Sequence, residues 1–259
     1  MLEYKQDTNN LLDGKIKEFI SARPRYNNCF FPELDQVSYI ETDNSLILKK
    51  KYESFNRIYF MSNDAEELVS ILSSLDKDDI INIPSKKGIQ EDLNTILTKA
   101  GYSLFETYER MYNNLVEPRG QFDAELANLA DVEGIYQLLH NHFNPYTDTL
   151  PTREYITELI EKKWVLINRN EDTKEVEGTL LLRFEPQKCH YYIWVDSSNF
   201  TKALNLFING FNYMNEKGYE KAYLWVRSTN VRPKKIYETL GFKYDGLKDY
   251  TYTKGDAHF

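Results

Sequence analysis

The sequence predicts an α/β fold built from two related units, each a sheet flanked by helices. Three observations carry that reading. Strand-like and helix-like segments succeed one another along most of the 259 residues, and at roughly 150 residues per domain this length fits one large domain or two modest ones. A weak internal repeat relates RIYFMSNDAEEL…TKAGYSLFETYERM to YYIWVDSSNFTKAL…ETLGFKYDGLKDYT. In both copies an apolar-aromatic strand ends in a small polar turn that opens a helix, and Gly-aromatic precedes a last strand. Residues 115–122 (LVEPRGQF) place Pro and Gly between two periodic regions, as in a linker or a strand-edge crossover. The expected domains are 1–118 and 122–259.

In the first half a helix is expected over Leu11–Ser21, followed by a loop carrying Pro24, Asn27, Asn28 and Pro32. Short β-like runs follow at Val37–Glu41, Ser45–Lys51 and Arg57–Met61, the last two joined as a hairpin through Ser54 and Asn56. Asn63-Asp64 offers an N-cap for a helix over Ala65–Leu75, whose Leu68, Ile71, Leu72 and Leu75 form one stripe. A strand (Ile80–Ile83), a helix (Gln90–Ala100) closed by Gly101, and a strand (Tyr102–Tyr112) complete it.

The second half starts with helices at Leu129–His142, signalled by Asp131, and at Thr152–Lys163, with Thr152 as N-cap. Strands are expected at Trp164–Asn168, Glu177–Phe184 and Cys189–Val195. A helix over Lys202–Lys217 closes at Gly218. A strand (Lys221–Arg227), a helix (Pro233–Leu240) ending at Gly241, and a strand (Phe242–Tyr252) follow.

Hydrophobic residues make up 41% of the chain and charged residues 28%, ordinary values for a soluble fold. Cys29 and Cys189 are the only cysteines, so no disulfide framework is expected and the reducing cytoplasm is the expected compartment. The N-terminus lacks a basic-then-apolar signal pattern, and no apolar run approaches a membrane span. The net charge is −8; residues 1–120 hold 15 Lys/Arg against 20 Asp/Glu, and the remainder 17 against 20. A nucleic-acid partner, which needs a basic stripe, is therefore disfavoured, and a cationic substrate is favoured. His140 and His142 lie two apart, not at the i, i+4 spacing of a helical metal pair, so no metal is expected.

The junction Val195-Asp196-Ser197-Ser198-Asn199-Phe200-Thr201-Lys202-Ala203 is a strand running into a helix N-terminus. It reads either as an anion site or as an ordinary capped turn. Downstream, Asn230-Val231-Arg232-Pro233-Lys234-Lys235-Ile236-Tyr237-Glu238-Thr239-Leu240-Gly241-Phe242 resembles the Asn-x-x-Ala-x-x-x-Tyr-x-x-x-Gly-Phe block of the acetyl-CoA-dependent N-acetyltransferases of the GNAT superfamily, matching at Asn230, Tyr237, Gly241 and Phe242. From 122 onward the order of elements is similar too. The resemblance implies two GNAT-like domains, each a mixed, mostly antiparallel sheet flanked by helices. It implies acetyl-CoA as co-substrate, Tyr237 as proton donor to the departing thiol, and Asn230 on the pantetheine arm. The strand through Ile193 and Val195 would lend backbone groups to the pantetheine amides.

The family's Val-x-Pro-x-x-Arg-Gly-x-Gly-x-Gly loop falls on Val195 to Asn205 and is eroded. Val195 matches and Lys202 stands where Lys is common, but Ser197 replaces Pro, Phe200 replaces Arg, and Thr201, Ala203 and Asn205 replace Gly. Phe200, Thr201, Lys202 and Ala203 are the residues that would face the diphosphate. The first half departs further. Leu97 takes the Tyr237 place and Gln90 the Asn230 place, and its turn Ser62–Glu67 carries three carboxylates. It reads as a degenerate GNAT-like domain or as an unrelated α/β domain.

The expected activity is acetyl transfer to a primary amine of a small molecule or peptide by direct attack, with Asp196, Glu185 and His190 open as the base. His142, Phe143 and Tyr146 are expected on the substrate side or in a structural aromatic cluster. A CoA-binding protein without catalysis, or an acyl or aminoacyl transferase with another donor, are the alternatives.

Overall fold

The computed structural model describes residues 4–6, 12–29, 37–53, 55–145 and 147–255, and it divides into two compact units. One comprises the chain up to Tyr108 together with the segment from Gly246 onward; the other is Glu109–Asp245. The expected second domain, 122–259, includes the segment from Gly246 onward, which in the structure groups with the first unit.

From the N-terminus the first elements are β1 (Lys5–Gln6), α1 (Leu12–Ser21), β2 (Tyr26–Asn27), β3 (Val37–Glu41), β4 (Ser45–Lys51), β5 (Asn56–Ser62), α2 (Ala65–Ser73), β6 (Asp79–Ser85), α3 (Glu91–Lys99) and β7 (Tyr102–Asn113). There follow β8 (Glu125–Leu126), α4 (Val132–His142), α5 (Arg153–Glu161), β9 (Val165–Arg169), β10 (Val176–Glu185), β11 (Lys188–Asp196), α6 (Phe200–Glu216), β12 (Ala222–Arg227), α7 (Val231–Thr239) and β13 (Lys243–Lys254).

In the first unit the strand order is β1-β3-β4-β5-β6-β13. Among the described residues β5 and β6 are the parallel pair, and β3–β4, β4–β5 and β6–β13 are antiparallel. The C-terminal strand belongs here because Tyr250 and Tyr252 pair with Ile83 and Ile81 of β6. The second unit repeats the plan as β12-β11-β10-β9-β8, with β11 and β12 parallel and the rest antiparallel. In both units the strand pairing is mixed and mostly antiparallel, as expected.

Helix positions follow local chemistry. The Asp64 carboxylate accepts from the N–H groups of Glu66 and Glu67 at 2.9 and 3.0 Å and starts α2. Leu68, Ile71 and Leu72 then face Leu93, Ile96 and Leu97 of α3 over Ile58, Phe60, Ile81 and Ile83. Thr152 caps α5 by accepting from Tyr155 N. Gly101 and Gly241 sit at φ +85 and +94, where a side chain would be strained, directly after the two helices they terminate. The core of the second unit is aromatic: Phe207 and Phe211 of α6 pack on Tyr191, Leu224, Tyr237 and Phe242. α4 and α5 bury Ile135, Leu139, Ile156 and Leu159 with Leu181 and Ile193. Among the described residues no helix is long and apolar enough to cross a membrane.

Candidate active site

The site begins with a defect in the second sheet. β11 and β12 pair over only three residues, Cys189↔Ala222, His190↔Tyr223 and Tyr191↔Leu224. Both continue, β11 to Asp196 and β12 to Arg227, so the ladder ends where the strands part. On its other edge β11 stays paired with β10 out to Gly178↔Asp196. That pairing skips a residue: Leu182 faces Tyr191 and Leu181 faces Ile193, leaving Tyr192 as a bulge. A bulge bends its strand and raises the local twist, which turns β11 away from β12 at the point of parting. It also resets side-chain parity. Cys189, Tyr191 and Trp194 join the α6 side, whereas Tyr192, Ile193 and Val195 pack toward α4 and α5.

The turn from β11 into α6 is held by several side-chain hydrogen bonds. Asp196 Oδ1 accepts from Ser198 N at 2.9 Å and from the Ser198 hydroxyl, while Oδ2 accepts from Asn168 Nδ2 at 2.8 Å. Asp196 lies so close to Gly178 that a Cβ there would sit 2.2 Å from Oδ2. Asn199 is the N-cap: its side chain accepts from Lys202 N at 3.0 Å and its carbonyl from Ala203 N at 3.0 Å. Ser197 N donates to Glu177 O at 2.8 Å. α6 therefore starts two residues before the predicted position, with Phe200 and Thr201 in its first turn, where N–H groups have no intrahelical acceptor. Lys202 Nζ lies 3.1 Å from both Glu177 and Glu171, and its hydrogen bonds to Glu177 and then Glu171 hold its ammonium pKa above the usual lysine range. Phe200 is exposed, with the Arg232 guanidinium over its ring at 5.7 Å.

Behind the split lies the Tyr237 cluster. The Tyr237 ring is buried against Phe207 at 5.4 Å, Trp194 at 6.2 Å and Phe242 at 6.2 Å. Burial pushes its phenol pKa up, and among the described residues its hydroxyl makes no hydrogen bond. Trp194 Nε1 is also buried without a partner. α7 starts at Val231, so Pro233 falls in its first turn, where the missing N–H costs nothing. Asn230 is the residue before that turn, and its side chain makes no capping bond.

The opposite face of β11 and β12 carries His190, Tyr192, Tyr223, Trp225 and Arg227. His190 stacks on Tyr223 at 4.3 Å, and Tyr192 donates to Thr149 O. Arg227 is ion-paired with Asp148, so the α4–α5 connection is tied to both strands beside the split. Phe143 packs with the α4–α5 core, and the His142 ring is bonded to Leu138 O at 2.8 Å. His140 is bonded likewise to Tyr136 O at 2.9 Å; Tyr146 lies outside the described residues. Among the described residues no cluster of His, Cys, Asp or Glu is arranged to hold a metal.

Geometry separates the three candidate bases. Asp196 has both oxygens engaged, Oδ1 by Ser198 in the α6 turn and Oδ2 by Asn168 of β9. Glu185 accepts from the Tyr223 hydroxyl, lies 3.3 Å from Lys188, and sits at the closed end of β11, about 10 Å along the strand from the split. His190 adjoins the split, and burial, with Arg183, Lys188 and Arg110 nearby, pushes its pKa down to about 3. It is neutral at pH 7 and a weak base. Because the unfolded imidazole titrates near ~6.5, the unfolded chain binds the extra proton between about 6.5 and about 3. Stability from this group is complete above about 6.5 and is lost as pH falls toward 3. Melting temperatures of His190→Phe, which retains the stack on Tyr223, are expected to fall less than those of the parent between pH 6.5 and 4.

The fold is similar to those of solved GNAT-family N-acetyltransferases. Solved structures with this fold include a GCN5-related N-acetyltransferase from Sphaerobacter thermophilus (TM-score 0.61, 13% identity, 86% of this chain and 82% of that one). A GNAT-family acetyltransferase from Colwellia psychrerythraea is similar over 98% of this chain and 99% of its own (TM-score 0.59, 9% identity). A tandem GNAT protein from the clavulanic acid biosynthesis pathway is similar over 98% of both chains (TM-score 0.56, 9% identity). No family model and no curated protein matches the sequence.

Proposed function

We propose that the second unit is an N-acetyltransferase that moves an acetyl group from acetyl-CoA to a primary amine of a small molecule or peptide, in a reducing cytoplasm. The split between β11 and β12 beyond Tyr191 and Leu224 carries this reading. Strand edges that end a ladder offer backbone N–H and C=O groups to a ligand, and the pantetheine amides need such groups. Trp194 Nε1, buried without a hydrogen-bond partner among the described residues, and the Tyr237 hydroxyl behind it add two polar groups to this edge.

The diphosphate end fits less well. Lys202 is engaged by two carboxylates, and Ala203 N and Lys202 N already donate to Asn199. What remains for an anion is the first-turn N–H groups of Phe200 and Thr201, with Arg232 nearby. Acetyl-CoA, when bound, supplies the activated acyl carbon.

The chain's own residues then do the following. The edge of β11 at Ile193 to Val195 orients the thioester and presents a backbone N–H to the carbonyl oxygen as negative charge builds there. Tyr237, held protonated by burial, donates a hydrogen bond to the departing sulfur. Asn230 meets the pantetheine arm with a carboxamide that caps nothing. The net charge of −8 favours approach of an ammonium acceptor.

The engaged Lys202 favours a second reading, a CoA-binding protein without turnover. Thiol release from acetyl-CoA with a panel of primary amines separates the two: amine-dependent release is expected, and binding without release would establish the second. Replacing both Glu177 and Glu171 by Gln is expected to free Lys202 and tighten acetyl-CoA binding about fivefold at low salt, an advantage that shrinks as salt screens it. Calorimetric titration at two ionic strengths measures this.

A further inference from the structure

The first unit contains the same split. β5 and β6 are parallel and pair only at Asn56↔Asp79, Arg57↔Ile80 and Ile58↔Ile81, although β5 runs on to Ser62 and β6 to Ser85. Here the chain fills the gap itself. β2 adds to the parted edge of β5, Tyr26 opposite Ser62 and Asn27 opposite Met61, and Asn28 N donates to Phe60 O at 3.2 Å. The Asn28 side chain, 3% exposed, then bridges the two strands. Its Nδ2 donates to Ile58 O at 3.0 Å on β5 and to Asn82 O at 2.9 Å on β6, while its Oδ1 accepts from Phe60 N at 2.6 Å. Asn82 in turn donates to Asp249 and Thr251 of β13 at 2.9 and 3.0 Å. Ile58 and Asn82 correspond by register to Tyr191 and Trp225 in the second unit, where no third strand is paired with β11 among the described residues.

We infer that the first unit keeps a second amide-binding slot of the donor type, permanently occupied by the carboxamide of Asn28, so that β2 and Asn28 are a built-in ligand and this unit takes no coenzyme. The chemistry matches the slot: a pantetheine arm would present amide donors and acceptors to parted strand edges, and Asn28 presents the same group from within the chain. A carboxamide meets two carbonyls and one N–H with no charge to bury, which neither Asp nor Leu could do. The occupant is tethered, so no translational freedom is lost each time the slot is filled. The Leu97 and Gln90 replacements at the positions of Tyr237 and Asn230 fit a slot whose role is structural. The identification of the slot as one of the donor type and the choice of probe rest on the proposed function of the second unit; the Asn28 bridge between β5 and β6 does not.

Amide hydrogen exchange of the full chain, with and without about 1 mM coenzyme A, tests this. Residues 56–62 and 79–85 of the parent are expected to exchange at the same rate in both conditions. In Asn28→Ala, exchange at Phe60 is expected to rise on the order of tenfold or more, with residues 222–227 unchanged. If Asn28→Ala does not fold, Asn28→Asp keeps the acceptor for Phe60 but turns a second oxygen on the two carbonyls. It should show the same acceleration at neutral pH, diminishing as its carboxyl is protonated. Protection of 56–62 by coenzyme A in the parent, or unaltered exchange at Phe60 in the variants, would overturn the inference. Failure of the donor site in the second unit would appear separately, as no protection of 188–196, and leaves the Phe60 result to stand or fall by itself.

Discussion

Replacing Tyr237 by Phe is expected to lower kcat for acetyl transfer by about 10²-fold, near the lower end of the range for acid–base catalysis, with acetyl-CoA affinity nearly unchanged. Among the described residues the hydroxyl makes no hydrogen bond, so its removal orphans none of them, and the ring contacts with Phe207, Trp194 and Phe242 survive. Its pKa is raised by burial alone, above an ordinary phenol near ~10 and further above a thiol near ~8.5. Complete transfer of the proton to the thiolate is therefore uphill, and the contribution is a hydrogen bond that strengthens as the C–S bond breaks. This limits the expected loss and keeps Tyr237 from introducing a pH limb below about 10. A purely structural tyrosine gives intact kcat, because the Phe ring keeps the same contacts, and an unchanged melting temperature shows that the variant is folded. Steady-state kinetics alongside thermal melts of Tyr237→Phe distinguish the two.

Asn28→Ala is expected to be the most destabilising single change in the first unit. It leaves Ile58 O, Asn82 O and Phe60 N buried without partners, at about 1–3 kcal/mol for each unsatisfied group. The costs are not independent, so the expected total is about 3–5 kcal/mol, a fall of roughly 10–20 °C in the transition of that unit. All three tryptophans, Trp164, Trp194 and Trp225, lie in the second unit. Tryptophan fluorescence therefore reports the second unit, and calorimetry should resolve an early transition that fluorescence misses. A single unshifted transition would show that the three groups find other partners.

Much of the architecture was legible because it rests on local chemistry. Asp64 and Thr152 announce their helices by capping, Gly101 and Gly241 end theirs, and the Asn230–Phe242 block places Tyr237 on the helix before the last strand. Other features depend on pairing between distant segments. Asn28 sits in a stretch whose Pro and Asn residues read as a turn, and its role exists only once β2 lies on β5, some 34 residues away in register (Asn27↔Met61). The bulge at Tyr192 has no signal of its own, yet it decides which side chains of β11 face α6. The partners of Lys202 follow from register too: Glu177 is brought to the α6 turn because Gly178 pairs with Asp196. The last strand was assigned to the second half by sequence adjacency, whereas β6 holds its far end in the first.

The most direct test of the donor site is calorimetric titration of the full chain with acetyl-CoA, read together with amide exchange over 188–203. Saturation at one molecule per chain, with protection confined to β11 and the start of α6, is the predicted result. No heat of binding and no protection at millimolar acetyl-CoA would contradict it.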